Sequence, residues 1–260
     1  MKKNDYIQIL GCGASQGVPA PDGNWGNCKK ESKNIRTRSS IYLNLNNFKI
    51  LFDTSPDLRF QLLKNNISKI DYVFYTHIHA DHIFGINELR TFYLKTKRRI
   101  NIFSTKECIF FLKKHFKYLF TNSKNYPAIL QSNIIHGPSI FTKKKCKIYI
   151  EKLDVQHGSV RTVGFKINNK IAYIPDVKFI SKNTLKNIIR IPLLIIDCFR
   201  IKKHKLHVNL EETLNYINII KPKKVFLTHM NRDIDYYKLR NKLKKYKNIL
   251  PCYDGMKIKI

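Results

Sequence analysis

The densest group of metal-binding side chains in this sequence is the heptapeptide T-H-I-H-A-D-H at residues 76–82. It follows the apolar run 72–75, which predicts a β-strand that delivers the heptapeptide to the end of a sheet. Imidazole nitrogen and carboxylate oxygen are ligand types that suit zinc, iron and manganese. Only nine histidines occur in 260 residues, so this spacing favours a metal site over a polar loop in which histidines cluster by chance.

Within the heptapeptide, the spacing of the side chains predicts two ions rather than one. His77 and His79 are two residues apart in a segment that leaves a strand, so both can face the same ion. Asp81 and His82 are adjacent, so their side chains diverge and can serve a second ion beside the first.

Three further apolar segments end at a residue that could bind a metal. The ligands are His157, Asp176 and His229, each placed directly after a predicted strand. Strand ends within a layered sheet gather at one edge, where open α/β folds commonly place their sites. Taken singly, each residue has a structural explanation, as a hydrogen-bonded strand end or a helix N-cap. Together with the heptapeptide they complete the coordination of two ions.

The donor count assigns a ligand set to each of two divalent ions, with Zn²⁺ favoured and Mn²⁺ or Fe also suited. One ion takes His77, His79 and His157, the other takes Asp81, His82 and His229, and Asp176 bridges them. Ions held roughly 3.5–4 Å apart can share a hydroxide that acts as the nucleophile. The predicted chemistry is hydrolysis of a phosphodiester, with Asp81 counted among the catalytic residues.

The four motifs, in their order and spacing, resemble the metallo-β-lactamase fold superfamily over nearly the whole chain. The resemblance implies a four-layer αββα sandwich, in which two mixed β-sheets pack face to face with helices on the outer faces. The alternation of strands and helices in two successive halves agrees with such layers. An aspartate at position 176, where classical β-lactamases use cysteine, resembles the phosphodiesterase and nuclease branches.

Three segments narrow this resemblance, namely G-C-G-A-S-Q-G-V-P at 11–19, D-T-S-P-D-L-R at 53–59 and Y-D-G-M at 253–256. They are similar to the phosphoribosyl cyclic phosphate phosphodiesterases and their relatives, which implies a small phosphate ester, such as a cyclic ribose phosphate, as substrate. The resemblance also implies that His207 donates a proton to the leaving oxygen. The alternative is that His204 and His207 lie in a basic surface loop.

One difference from that group lies in the segment 21–28, which holds a single cysteine, Cys28. The phosphoribosyl enzyme carries a cysteine cluster there that binds a structural zinc. We therefore expect no structural zinc at this position, and the difference leaves the exact substrate open.

Four further residues are candidates for supporting roles. Asp53 ends a strand and is expected to accept a hydrogen bond from a ligand histidine, which would fix its tautomer. Alternatively, it caps the next turn. Arg38, Arg59 and Arg90 are candidate phosphate clamps, because a guanidinium group matches phosphate oxygens. Ordinary surface charge is the competing explanation for all three arginines.

The formal net charge of +31 admits other functions. Lysines and arginines bind phosphate backbones, so the runner-up function is an RNase Z-like endoribonuclease that trims tRNA 3′ ends. However, the basic residues are spread along the chain, and an AT-rich genome alone would produce this usage. The chain also shows no insertion like the tRNA-gripping arm of that family. A nucleic-acid-binding protein with structural metals, and a thioester or lactone hydrolase, are the remaining alternatives.

Composition sets the remaining expectations. A chain of 260 residues without a linker predicts a single domain over 1–260. Six dispersed cysteines and the lack of a signal-peptide core or membrane span predict a cytoplasmic protein. Relatives in the superfamily are often dimers, which makes a homodimer one candidate assembly, although the sequence does not fix the oligomeric state.

The local patterns also predict individual elements. We expect helices over 58–63, 83–94, 185–191 and 236–246, and an irregular segment over 121–147. Capping boxes are expected at 104–107 and 209–212, and hairpin turns at 46–47 and 168–169.

Overall fold

The computed structural model describes residues 5–158 and 160–260, which form two β-sheets with helices packed against them. Residues 1–4, which contributed to the argument against a signal peptide, lie outside the described part of the chain. The strands are β1 (Tyr6–Gly11), β2 (Ser40–Leu45), β3 (Phe48–Phe52), β4 (Tyr72–Phe74), β5 (Ile100–Ser104), β6 (Leu130–Ile134), β7 (Ser139–Lys143), β8 (Cys146–His157), β9 (Val160–Ile167), β10 (Ile171–Ile174), β11 (Phe179–Ile180), β12 (Leu193–Asp197), β13 (Lys224–Thr228), β14 (Ile249–Pro251) and β15 (Lys257–Lys259).

The helices are short and lie between strands. They are α1 (Leu58–Lys64), α2 (Ala80–Ile83), α3 (Arg90–Thr96), α4 (Lys106–His115), α5 (Lys182–Asn187), α6 (Leu210–Ile220) and α7 (Tyr236–Lys242), with 3₁₀ turns at Ser32–Asn34, Ile86–Leu89 and Lys117–Leu119. Among these helices, none is long and apolar enough to cross a membrane.

Both sheets are mixed, and each contains four strands that run parallel to one another. The first sheet has the order β15-β1-β2-β3-β4-β5-β6, and β3 to β6 run parallel. The second has the order β11-β8-β9-β10-β12-β13-β14, with β7 paired to β8, and β10, β12, β13 and β14 run parallel. The residues that follow these parallel strands therefore meet at the carboxyl ends of both sheets.

The two sheets are joined by buried aromatic rings. Phe52 lies 5.4 Å from Phe74 between ring centroids in the first sheet, 5.3 Å from Phe165 and 5.8 Å from Tyr173 in the second. All four side chains are fully buried. Because β3, β4 and β10 carry three of these rings and end at candidate site residues, the same packing that joins the sheets also sets the positions of the site residues.

A second apolar cluster covers the outer face of the first sheet. It contains Leu58 and Leu62 of α1, Ile83 of α2 and Leu112 of α4, packed against residues of β1 to β5. On the other side, residues of α6 and α7 join the main core with the second sheet. The layers are therefore helix, sheet, sheet, helix, and the predicted fold class is confirmed.

Asparagine pairs make both predicted hairpin turns. Asn46 and Asn47 have φ of 51° and 70°, and Asn168 and Asn169 have φ of 49° and 53°. Two successive residues with positive φ are required by the tight turns that match strand twist, and asparagine tolerates this conformation. Both hairpin predictions are confirmed, as is the capping box at Asn209.

The predicted helix over 83–94 is wrong, since the segment is divided into α2, a 3₁₀ turn and α3. The break is at Gly85, where a Cβ atom would lie 2.0 Å from the carbonyl oxygen of Ser55. The chain passes so close to the loop after β3 that only glycine fits. The apolar spacing was helical, but tertiary contact interrupts it.

Three other local predictions are also wrong. The segment 121–147 holds β6 and β7 rather than irregular chain, because pairing with β5 and β8 orders weakly apolar sequence. The cap of α4 is Thr105, whose side chain accepts from the N–H of Cys108, instead of Ser104. The helix predicted at 185–191 is Lys182–Asn187, because capping by Ser181 decides where it begins. The helix predicted at 236–246 begins at Tyr236 as expected, after the cap Asp235, and ends at Lys242.

The packing between the sheets predicts a large effect of removing one ring. Phe165→Ala should lower the free energy of unfolding by about 3–5 kcal/mol, because it leaves a cavity among rings of both sheets. Phe110→Ala is the matched control, since that side chain is 69% exposed on α4, and should change stability by less than about 0.5 kcal/mol. Guanidinium unfolding measures both. Equal losses in the two variants would contradict this account of the core.

Candidate metal centre

The candidate ligands come from four strand ends and one short helix. His77 and His79 lie in the loop after β4, and Asp81 and His82 lie in α2. The other three are the last residue of β8 (His157), the second residue after β10 (Asp176) and the first after β13 (His229). The structure brings all seven side chains together at the carboxyl ends of the parallel strands.

Three histidines form the first group. His77 Nε2 lies 2.8 Å from His79 Nδ1, and the ring centroids of these residues lie 5.8 Å and 5.2 Å from that of His157. One nitrogen of each ring is within 4.8 Å of the others. Three nitrogens that converge at such distances can coordinate one cation.

The second group centres on Asp176. Its Oδ2 lies 3.0 Å from His82 Nε2, and its Oδ1 lies 3.2 Å from His229 Nε2. Asp81 completes this group, with Oδ2 3.4 Å from His82 Nε2. Asp176 also belongs with His77 and His82 to a set of donors within 4.8 Å. It therefore lies between the two groups, as a bridging carboxylate must.

The outward-facing nitrogens of these rings are held by buried partners. His82 Nδ1 lies 2.8 Å from Asp53 Oδ2, His229 Nδ1 lies 3.1 Å from Ser39 Oγ, and His157 Nδ1 lies 2.8 Å from the carbonyl oxygen of Leu206. Such contacts fix the ring orientation and leave the other nitrogen for a ligand role. Asp53 is thus placed where the sequence suggests, against a histidine of the heptapeptide.

Two residues of the site adopt a strained backbone. Asp53 has φ of 62° and His229 has φ of 55°, and both follow strands directly. Non-glycine residues in this region cost about 1–3 kcal/mol and persist where surrounding contacts hold them. Asp53 is held by Thr76, whose N–H and Oγ1 both lie within 3.1 Å of its carboxylate. This backbone conformation accompanies the contacts of Asp53 with His82 and of His229 with Asp176.

Burial keeps most of the imidazoles neutral. It lowers the pKa of His77 well below its usual range, lowers the pKa of His79 and His157, and lowers that of His229 to about 3. A neutral imidazole has a free lone pair, which metal coordination requires.

The carboxylates behave differently. Burial opposes ionisation of Asp176, but the neighbouring His229 and His82 hold its pKa well below the usual value. Burial likewise opposes protonation of His82, yet Asp176, Asp81 and Asp53 together raise its pKa well above the usual value. The carboxylates therefore demand positive charge at this point, which a divalent cation can supply.

Two buried polar atoms at the centre test whether a cation fits. His82 Nε2 and Asp176 Oδ2 make no hydrogen bond to any residue within 5–158 and 160–260, although they lie 3.0 Å apart. Buried polar atoms left without hydrogen bonds are costly unless another partner binds them. An imidazole nitrogen, once it has lost its proton, and a carboxylate oxygen directed at one point are metal donors, so the donor set fits divalent ions.

His207 lies beside the two groups, in the loop before α6. Its Nδ1 is 2.8 Å from Asp197 Oδ2 and 3.9 Å from Asp176 Oδ1. Its ring stacks on Phe199, with centroids 4.4 Å apart and planes 9° apart. Asp197 was not among the sequence candidates. Yet it ends the apolar strand β12, so the strand-end pattern that found Asp176 could have found it.

The three candidate arginines have other partners or are exposed. Arg38 forms an ion pair with Asp57 at 3.0 Å, and Arg90 lies 4.8 Å over the ring of Tyr126. Arg59 is exposed on α1. In the part of the chain that the structure describes, no hydrogen bond or ion pair joins these side chains to the seven candidate ligands.

Comparison with known proteins identifies the class. The model of the family described as "Beta-lactamase superfamily domain" matches residues 49–230. This match includes every candidate ligand, and the fold is the one described above. The chain belongs to the β-lactamase superfamily.

Relatives and solved structures refine the comparison. An octanoyltransferase of Porphyromonas gingivalis is 28% identical over 226 residues, which are 86% of this chain and 45% of that protein. A ribonuclease Z of Staphylococcus epidermidis is 44% identical over 90 residues, which are 33% of this chain and 25% of that protein. The chain thus matches less than half the length of either relative.

Among solved structures, "a New Diphosphatase from the PhnP Family" has a TM-score of 0.87 and 25% identity, covering 99% of this chain and 98% of its own. The short form of human tRNase Z has a TM-score of 0.70 and 19% identity, covering 98% and 99%. Zn²⁺-bound PqqB from Methylobacterium extorquens has a TM-score of 0.74 and 17% identity, covering 98% and 100%. The last two similarities concern the fold.

The contact between Asp53 and His82 predicts a change in metal affinity. Asp53→Ala should weaken binding of Zn²⁺ or Mn²⁺ by about 10–100-fold, because His82 loses the partner that orients its ring. Competition with a chromogenic chelator measures the affinity. Asp154→Ala is the control, since its carboxylate is 72% exposed. Unchanged affinity in Asp53→Ala would contradict the supporting role.

Proposed function

We propose that this chain is a metal-dependent hydrolase with two divalent ions, acting on a small phosphate ester. The observation that carries this proposal is the convergence of five histidines and two aspartates from separate segments of the chain. Two of their buried polar atoms, His82 Nε2 and Asp176 Oδ2, make no hydrogen bond within the described residues. The family supports hydrolysis as the reaction class.

The ligand sets follow the geometry. His77, His79 and His157 would hold one ion, and Asp81, His82 and His229 the other, with Asp176 between them. Zn²⁺ fits this nitrogen-rich set best, and Mn²⁺ or Fe is also accommodated. Two such ions, when bound, lower the pKa of water and stabilise charge on a phosphoryl group.

Asp81 and His207 would act beside the ions. The Asp81 carboxylate lies 3.4 Å from His82 Nε2 and keeps 10% of its surface exposed, whereas the His82 side chain is fully buried. His207 Nδ1 is hydrogen-bonded to Asp197 Oδ2, which leaves its Nε2 to carry a proton. Burial raises the pKa of Asp197 well above its usual value, and the charge of Asp176 raises it further. Burial lowers the pKa of His207 itself, so the Asp197 side of the pair holds the shared proton. His207 would give its Nε2 proton to a leaving oxygen while its Nδ1 takes the proton of Asp197.

Comparison with solved structures supports the substrate class. The PhnP-family diphosphatase resembles this chain over nearly the full length of both proteins. The human tRNase Z is less similar, and the ribonuclease Z match covers 90 residues. We therefore favour a small phosphate ester, such as a cyclic phosphate on ribose, or a diphosphate. An RNase Z-like function on tRNA 3′ ends is the second candidate, favoured by the 44% identity in that segment.

The cellular setting is part of the same proposal. The six cysteines are all free, and five of them are buried, which agrees with a reducing, cytoplasmic compartment. A homodimer remains a prediction that sedimentation measures.

The ligand assignment predicts the effect of removing Asp81. In metal-loaded protein, Asp81→Ala should lower hydrolysis of bis-p-nitrophenyl phosphate by more than roughly 100-fold. The reason is that removing even a residue that only orients a metal ligand lowers metal affinity or activity by about 10–100-fold. Chelation should abolish the activity, and added Zn²⁺ or Mn²⁺ should restore it. Asp22→Ala, in an exposed loop, should keep it. Full activity in Asp81→Ala would exclude the proposed role.

The position of His207 predicts a dependence on the leaving group. Protonation matters most for poor leaving groups, so His207→Ala should slow hydrolysis of an alkyl or ribose phosphodiester by about 10²–10⁴-fold. The same variant should slow the p-nitrophenyl ester far less. His136→Ala, in an exposed turn, is the control. Equal losses on both esters would assign His207 to binding instead of proton transfer.

A substrate panel separates the two candidate functions. Purified, metal-loaded protein is offered cyclic ribose phosphates, linear diesters, diphosphates and 3′-extended tRNA precursors. A kcat/KM that is highest for a small ester supports the favoured function. Efficient and position-specific trimming of tRNA precursors would replace it with the second candidate.

A further inference from the structure

A second concave site lies at the opposite edge of the first sheet from the metal centre. It is a cavity of about 710 Å³ between the loop before β4, the end of α3 and the start of β5. Tyr72 begins β4 at this cavity, and His77 follows the other end of the strand. Five residues of extended chain span about 16 Å, so the two sites are separate.

The charge of the cavity is strongly unbalanced. Its one acidic lining residue, Asp71, pairs with Lys143 at 2.5 Å and accepts from the N–H of Lys49 at 2.9 Å. The remaining charged residues that line the cavity are all basic, namely Lys69, Lys95, Arg98 and Arg99. Within 5–158 and 160–260, none of these four has an acidic partner within 4.0 Å. Four unpaired cations around a concavity create a positive potential that attracts anions.

The helix end explains only part of this charge. Cations are favoured near the last turn of a helix, and Lys95 lies in the last turn of α3. Lys69 comes from a different segment, before β4. Arg99 follows the helix and is oriented by Asn122, whose Oδ1 accepts from it at 3.3 Å. The convergence of cations from two segments is therefore a property of the cavity.

The floor of the cavity differs from its rim. Ile70, Phe92 and Ile100 line it and are 5–8% exposed, whereas the four cations are exposed. Ligand sites combine an apolar wall with a few charged groups that fix orientation. The volume lies within the range of about 300–1,000 Å³ for small-molecule sites. A ligand that matches both surfaces has an apolar or planar part and more than one phosphate.

We propose that this cavity is a second binding site, which takes an organic polyphosphate of the nucleoside di- or triphosphate class. Arg98 and Arg99 hold the phosphates, because guanidinium groups bind phosphate oxygens in pairs. The apolar floor takes the planar part. A longer nucleic acid is less favoured, because the residues that line the concavity include no row of exposed aromatic rings on which successive bases could stack. The site does not depend on the proposed hydrolysis.

The test is equilibrium binding of a fluorescent ATP analogue, followed by anisotropy in about 0.15 M salt, with excess Mg²⁺ so that the nucleotide does not strip metal from the protein. Arg98→Ala/Arg99→Ala should weaken binding about tenfold or more, because it removes both guanidinium groups that form charged hydrogen bonds with the phosphates. The matched control is Lys244→Ala/Lys245→Ala, which removes the same charge from exposed positions after α7. It should change affinity by less than about twofold.

Unlabelled competitors define the ligand class. ATP should displace the analogue at lower concentration than inorganic tripolyphosphate, because only ATP has a group for the apolar floor. Equal potency would overturn the organic part of the proposal, and equal losses in the two double variants would overturn the site. An unlabelled thymidine 12-mer that competes better than ATP, with a loss in the Arg98/Arg99 variant alone, would replace the small ligand by nucleic acid.

Two further measurements separate this site from the metal centre. The thermal midpoint of each variant shows whether it is folded. The Arg98→Ala/Arg99→Ala variant should hydrolyse bis-p-nitrophenyl phosphate as the unmodified chain does. Loss of hydrolysis together with loss of nucleotide binding would mean that the analogue binds the metal centre. If the unmodified chain shows no hydrolysis, the binding result still stands by itself.

Discussion

The carboxylate of Asp176, held between His82 and His229, is the interaction on which the site depends. It lies 3.0 Å from one ring and 3.2 Å from the other, and it is 3% exposed. A buried carboxylate is unfavourable without compensating positive charge. The neighbouring histidines and the candidate ions are therefore parts of one electrostatic arrangement, and none of them can be understood separately.

This arrangement needs a rigid scaffold, because a shift of about 1 Å would separate the donors of a metal site. The aromatic rings between the sheets supply it. Phe52 and Phe74 of the first sheet pack against Phe165 and Tyr173 of the second. The N–H of Val163 also donates to the carbonyl oxygen of Thr76 at 3.1 Å, which ties the second sheet to the loop that carries the heptapeptide. Sheet packing and site geometry thus share the same residues.

The net charge of the protein does not describe the local arrangement of charges at either site. At the candidate metal centre, four carboxyl groups and six neighbouring imidazoles set a local balance that the net charge of +31 does not describe. At the opposite edge of the first sheet, lysines and arginines surround a concavity with one paired acid. A uniform surface excess of lysine attracts anions weakly everywhere, whereas a concave arrangement concentrates the field at one point.

The sequence by itself determined the types of the candidate ligands, the strands that end at them and the layered fold, because these depend on residue identity, on two-residue alternation and on local turn chemistry. Asparagine pairs at the hairpins and the capping box at Asn209 are local, and both were predictable. Only the tertiary structure decided that Gly85 interrupts a helical pattern, that Asp197 supports His207, and that Arg38 pairs with Asp57. Those outcomes depend on segments that are distant in the chain, and contact between them follows from how the sheets pack rather than from any local pattern.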